Sequence, residues 1–110
     1  MEPLTFYSLE RRSGELRAAE RVGHTDGTYN YYYNDSQDTW YAIDPACGYA
    51  VCRGDTLLDA QKEAYSVQMQ TSLEIFKRSV AYDKYVDEFR NALWTAGVME
   101  YDVPPLSELL

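Results

Sequence analysis

The chain has no lysine or arginine between Arg21 and Arg53; that gap holds four aspartates, six tyrosines and a tryptophan instead. Nonspecific affinity for DNA or RNA comes mainly from basic side chains that neutralise phosphates, so a window of this composition repels nucleic acid and suits a basic protein surface. The rest of the sequence points the same way. Its formal net charge is −8, spread as 0 over residues 1–23, −3 over 24–53 and −5 over 54–110.

Residues that carry chemistry are also sparse. There is one histidine, two cysteines, no glycine-rich phosphate loop and no cluster with metal-ligand spacing. The expectation is a protein that is not an enzyme and needs no cofactor or metal. The one thiol scheme the residues allow pairs His24 as base with Cys47 or Cys52 as nucleophile, oriented by Asp26 or Asp44, and neither spacing nor local motif supports it. Two free thiols is the simpler reading of Cys47 and Cys52. No apolar run is long enough to span a bilayer, and Met-Glu-Pro-Leu-Thr lacks the basic and apolar regions of a signal peptide, so a cytoplasmic protein without membrane contact is expected.

What is present is enough for one core. A chain of 110 residues with 45% hydrophobic and 15% aromatic content is expected to form a single domain over residues 1–97, followed by a tail over 98–110. Residues 3–10 alternate as a strand does, and Arg12-Ser13-Gly14 offers a turn into residues 15–22, which read as a second strand or a short helix. After a loop at 23–27, strands at 28–33, 39–43 and 49–53 are separated by turns at Asn34–Gln37 and Asp44–Gly48, a three-strand meander. In such a strand Tyr29, Tyr31 and Tyr33 share one face and Asn30 and Tyr32 the other.

Gly54-Asp55-Thr56 opens a helix capped by Asp55 or Thr56, and no glycine or proline interrupts residues 57–96. A phase shift in the apolar stripe predicts two helices, or one bent helix, meeting near 79–81, with Gly97 as the stop. The fold class is therefore α+β, a small antiparallel sheet with or without an added N-terminal hairpin, packed on one or two helices. Its expected core is Phe6, Leu57, Leu58, Leu73, Phe76, Val80, Val86, Phe89, Leu93 and Trp94. In the tail, Leu106, Leu109 and Leu110 read as part of a loosely packed terminus or as a short docking motif.

Carboxylate pairs at helical spacing, Asp59 with Glu63 and Asp83 with Asp87, have bases nearby and read as a solvated mixed-charge face. The aspartates of the sheet half have no such compensation. Asp26, Asp35, Asp38 and Asp44 fall at turns or strand ends, where they are expected to face solvent. Same-face strand positions lie roughly 6.6 Å apart, comparable to the spacing of backbone phosphates. The expected contact residues are Asp35, Asp38, Tyr32 and Asp44, facing a basic partner such as a nuclease or another nucleic-acid-binding protein.

Two resemblances bear on this reading. Thr39-Trp40-Tyr41-Ala42-Ile43-Asp44-Pro45, Gly48 and Gly54-Asp55-Thr56-Leu57-Leu58-Asp59-Ala60 resemble the strand–turn–strand–helix unit of HicB-type antitoxins; the turn sequence differs, and what the resemblance implies is architecture. In size, charge and scarcity of catalytic groups the chain is similar to the small acidic inhibitors of phages and mobile elements, including anti-CRISPR and antirestriction proteins. That resemblance implies a non-enzymatic protein that occupies its partner's nucleic-acid site. The alternative is an antitoxin or a dimerising structural module.

Overall fold

The computed structural model describes residues 1–98. The expectations placed on Leu106, Leu109 and Leu110, and on the tail from Met99 onward, lie outside the described residues. The fold is α+β. Five strands, β1 (Glu2–Arg12), β2 (Glu15–Thr25), β3 (Asn30–Asn34), β4 (Thr39–Ile43) and β5 (Ala50–Gly54), form one antiparallel sheet in sequence order. Three helices follow, α1 (Leu57–Ala64), α2 (Val67–Lys77) and α3 (Val80–Thr95).

The expected three-strand meander is thus part of a five-strand one. Residues 15–22 are strand, and the segment expected as a loop from Gly23 continues β2 to Thr25. Gly23 is what allows this: a Cβ there would sit 1.8 Å from the Tyr31 carbonyl oxygen, so only glycine lets β2 and β3 come together. At the far end of the hairpin, Ser13 and Gly14 both take positive φ, the two-residue turn that matches strand twist. The sheet is strongly coiled. A flat five-strand sheet would hold β1 about 14 Å from β4 at ordinary strand spacing, yet the Leu9 N–H donates to the Gly48 carbonyl, in the β4–β5 loop, at 2.8 Å.

The helical half breaks twice. The junction expected near 79–81 is present, with Ser79 capping α3 by accepting from the Tyr82 N–H at 3.2 Å. A second break at Tyr65–Ser66 was not expected; Ser66 caps α2 in the same way, accepting from the Met69 N–H at 3.2 Å. Thr56 caps α1 through the Asp59 N–H. Gly97, at φ 78°, ends α3: its N–H donates to the Trp94 carbonyl at 3.0 Å and that of Val98 to Leu93 at 2.9 Å, the paired bonds of a Schellman stop.

The extra break explains one of the three errors in the expected core, Leu58; the other two follow from positions on α3. Phe6, Leu73, Val86, Phe89 and Leu93 are buried and Leu57 and Phe76 partly so, whereas Leu58, Val80 and Trp94 are exposed. With the phase reset at Ser66, α1 turns Leu57, Ala60 and Ala64 toward the sheet and leaves Leu58 a hundred degrees away. On α3 the buried positions are Tyr82, Val86, Phe89, Ala92 and Leu93; Val80 stands at the first helical position and Trp94 one step past the stripe. The alanines let α1 lie close against Tyr29, Tyr31 and Ala42, while Phe89, Ala92 and Leu93 pack α3 on Leu9 of the hairpin. Among the described residues no helix is long and apolar enough to cross a membrane.

Candidate functional site

The β3–β4 turn carries two of the expected contact residues, Asp35 and Asp38, both exposed. Asn34 shapes the turn: its side-chain oxygen accepts from the Gln37 N–H at 3.2 Å and from the Ser36 hydroxyl at 2.7 Å. Asp38 closes it in the left-handed region at φ 50°, a conformation aspartate and asparagine tolerate better than other side chains. Its Oδ1 accepts a hydrogen bond from the Tyr33 hydroxyl, which together with burial and the nearby Asp35 raises the tyrosine's pKa.

Because β3, β4 and β5 alternate in direction, the β3–β4 turn and the exit from β5 into α1 lie at the same end of the sheet. Thr39, next to Asp38, lines an open cleft with Asp55, Asp59 and Glu63, and with Arg53 and Lys62. Two turn carboxylates therefore share one end of the sheet with three cleft carboxylates and the two cations of that cleft. Gly54 makes the closeness possible, since a Cβ there would lie 2.4 Å from the Ala60 nitrogen. The sequence reading missed Asp55, Asp59 and Glu63 as members of this surface. The alternation of strand directions in the meander was the signal that could have found them.

The other two expected contact residues lie elsewhere. Asp44 is only 3% exposed, which corrects the expectation of a solvent-facing side chain. Its Oδ1 accepts from the Ala46 N–H at 2.8 Å and its Oδ2 from the buried Tyr82 hydroxyl at 3.2 Å, so it pins the β4–β5 loop to α3. Tyr32 points to the face opposite Tyr31, where it stacks on Tyr41 at 5.7 Å between centroids and carries the Arg21 guanidinium at 4.5 Å from its ring centre. Arg21 also bonds Ser8 at 2.9 Å and Glu10 at 3.0 Å. That guanidinium already occupies the Tyr32 ring face.

Asp26 also departs from a plain surface role. It accepts from the N–H groups of Thr28 and Tyr29 at 2.9 and 2.8 Å, and from the hydroxyls of Tyr31 and Tyr65 at 2.7 and 3.0 Å. Burial alone would raise its carboxyl, but the hydrogen bonds, that from Tyr29 foremost, outweigh it and hold the group below the ordinary carboxylate range.

The thiol scheme finds no geometry. His24 stands on β2 and Cys52 on β5, with β3 and β4 between them. His24 Nδ1 is buried with no hydrogen-bond partner among the described residues, so it engages neither Cys47 nor Cys52, and the Cys52 thiol donates instead to the Ala60 carbonyl at 3.4 Å. Both cysteines are free thiols. Burial, with Asp44 nearby, pushes the Cys47 thiol up to about 12; burial and Glu63 push Cys52 up to about 11. Neither is a ready nucleophile at neutral pH. No group of three or more metal-ligating side chains occurs among the described residues. Compared with known proteins, the chain matches no family model, no curated protein and no solved structure.

Proposed function

We propose that the protein is a non-enzymatic acidic binding protein that blocks a basic, nucleic-acid-handling partner by occupying its nucleic-acid site, in the manner of an anti-CRISPR inhibitor. The observation that carries this reading is the gathering of Asp35, Asp38, Asp55, Asp59 and Glu63 at one end of the sheet, with Arg53 and Lys62 as the cations of the cleft. Carboxylates presented from a hydrogen-bonded turn and from α1 with its lead-in offer acceptors to a groove built for phosphates, and the −8 net charge steers the encounter. Asp35 and Asp38 are its leading contacts; the buried Asp44 and the occupied Tyr32 are not.

The test is affinity capture from the native cell lysate with the wild-type chain and an Asp35→Lys/Asp38→Asn variant in parallel. Asparagine at 38 keeps the left-handed turn. The captured protein should bind nucleic acid by itself, be displaced by added oligonucleotide, and be lost by the variant. A partner that oligonucleotide does not displace would contradict the reading. The alternative, a dimerising module, has one observation in its favour: β1 is an edge strand of 11 residues. Light scattering that finds a stable dimer in both wild type and variant would select it.

A further inference from the structure

On the side of the sheet that carries α1, Tyr33 and Trp40 are cross-strand partners with ring centroids 5.6 Å apart, and His24 lies 6.1 Å from Trp40. Tyr33 is 39% exposed, and Val22, which shares a side of β2 with His24, is 77% exposed. Beside these rings stands Asp38. One of its oxygens holds the Tyr33 hydroxyl, and the other makes no hydrogen bond among the described residues. The charges that act on Tyr33 are those of Asp38 and Asp35, both negative.

The opposite face of the sheet shows how this protein holds a guanidinium. There, Arg21 lies over the Tyr32 ring at 4.5 Å and donates to the Glu10 carboxylate at 3.0 Å, a ring face and a carboxylate sharing one planar cation. Tyr33, Trp40 and Asp38 repeat those parts on the α1 side, where Tyr33 is exposed and Trp40 half-buried against the core, and among the described residues no cation is seen over these two rings. We infer that the Tyr33–Trp40–Asp38 cluster is a receiving site for an arginine side chain of the basic partner, its guanidinium stacked on the rings and hydrogen-bonded to Asp38.

This rests on the acidic-inhibitor reading and narrows it. Arginine is the cation that fits because it is planar, weakly hydrated and forked, whereas a lysine ammonium presents a point charge that gains less from a ring face. Tryptophan, tyrosine and arginine are also the residues that dominate binding energy at protein interfaces. Nucleic-acid sites are rich in arginine, so a protein that occupies one needs at least one such receptor.

The experiment uses the full chain and two probes of equal charge, hexa-arginine and hexa-lysine, read by the indole N–H signals of the two tryptophans, with Trp40 assigned through Trp40→Phe. Hexa-arginine should shift the Trp40 signal saturably and bind at least tenfold tighter than hexa-lysine. Tyr33→Leu and Asp38→Asn should each weaken hexa-arginine at least fivefold and erase the preference, with unchanged thermal unfolding. Equal affinity for the two peptides would overturn the arginine site while leaving the acidic-end reading intact. Failure of hexa-arginine to shift Trp40, or a shift of Trp94 alone, would overturn it as well. The comparison in the wild-type chain needs no variant to fold.

Discussion

At the residue scale, two aspartates that read as surface charge are structural hubs. Asp44→Ala strips partners from the buried Tyr82 hydroxyl and the Ala46 N–H, and about 2–3 kcal/mol of destabilisation is expected in urea unfolding. Any loss of function in that variant should therefore track its loss of fold. Asp26→Ala should cost a similar amount at pH 7, since hydrogen bonds to a charged acceptor contribute about 1.5–3 kcal/mol. The pH dependence has a definite sign. The folded carboxyl lies below its unfolded value of about 3.9, so its stabilisation is complete above that pH and is lost as pH falls through the folded value. The gap between wild type and Asp26→Ala, measured by urea titration, should be full at pH 7 and narrow in strong acid. The thiols give a third test at this scale. With burial raising both, Cys47 and Cys52 should react slowly with a thiol reagent in native buffer and promptly in denaturant.

At the element scale, the helix starts follow one rule, a hydroxyl that accepts from an N–H three residues on, at Thr56, Ser66 and Ser79. Ser66→Ala and Ser79→Ala should each cost about 1 kcal/mol by thermal or chemical unfolding. Turn and cap chemistry is also what made much of the fold legible. Ser13-Gly14, the Asn34–Gln37 turn, Gly54-Asp55-Thr56 and Gly97 are legible in the sequence because their residue types answer to local geometry. The break at Ser66 was not, because it lacks a glycine or proline and the apolar stripe runs on through Tyr65 and Met69 as if the helix did too. The faces of the tyrosine run were equally hard to choose between. Alternation puts Tyr31 and Tyr33 opposite Tyr32, but only the packing of Ala60 and Ala64 shows which side is covered. Asp44 was misread for a related reason: Asp-Pro is turn chemistry, and nothing local reveals that α3 lies over the loop.

At the scale of the whole molecule, charge and scarcity of catalytic groups meet in one surface. The acids that count are contributed by the β3–β4 turn and by α1 with the residues that lead into it, which are distant in sequence and share one end of the sheet. Exposed charges of this kind act over about 10 Å at 0.1 M salt, so their contribution to binding is screened as salt rises. Asp35→Lys/Asp38→Asn should leave the unfolding free energy within about 0.5 kcal/mol of wild type while removing binding, because both side chains are exposed and asparagine keeps the turn. The most direct measurement is the dissociation constant of the captured complex as a function of salt, for wild type and this variant. The account predicts a steep weakening with salt in wild type and little or no binding by the variant. Affinity that stays level across the salt range, or that is the same in both proteins, would contradict it.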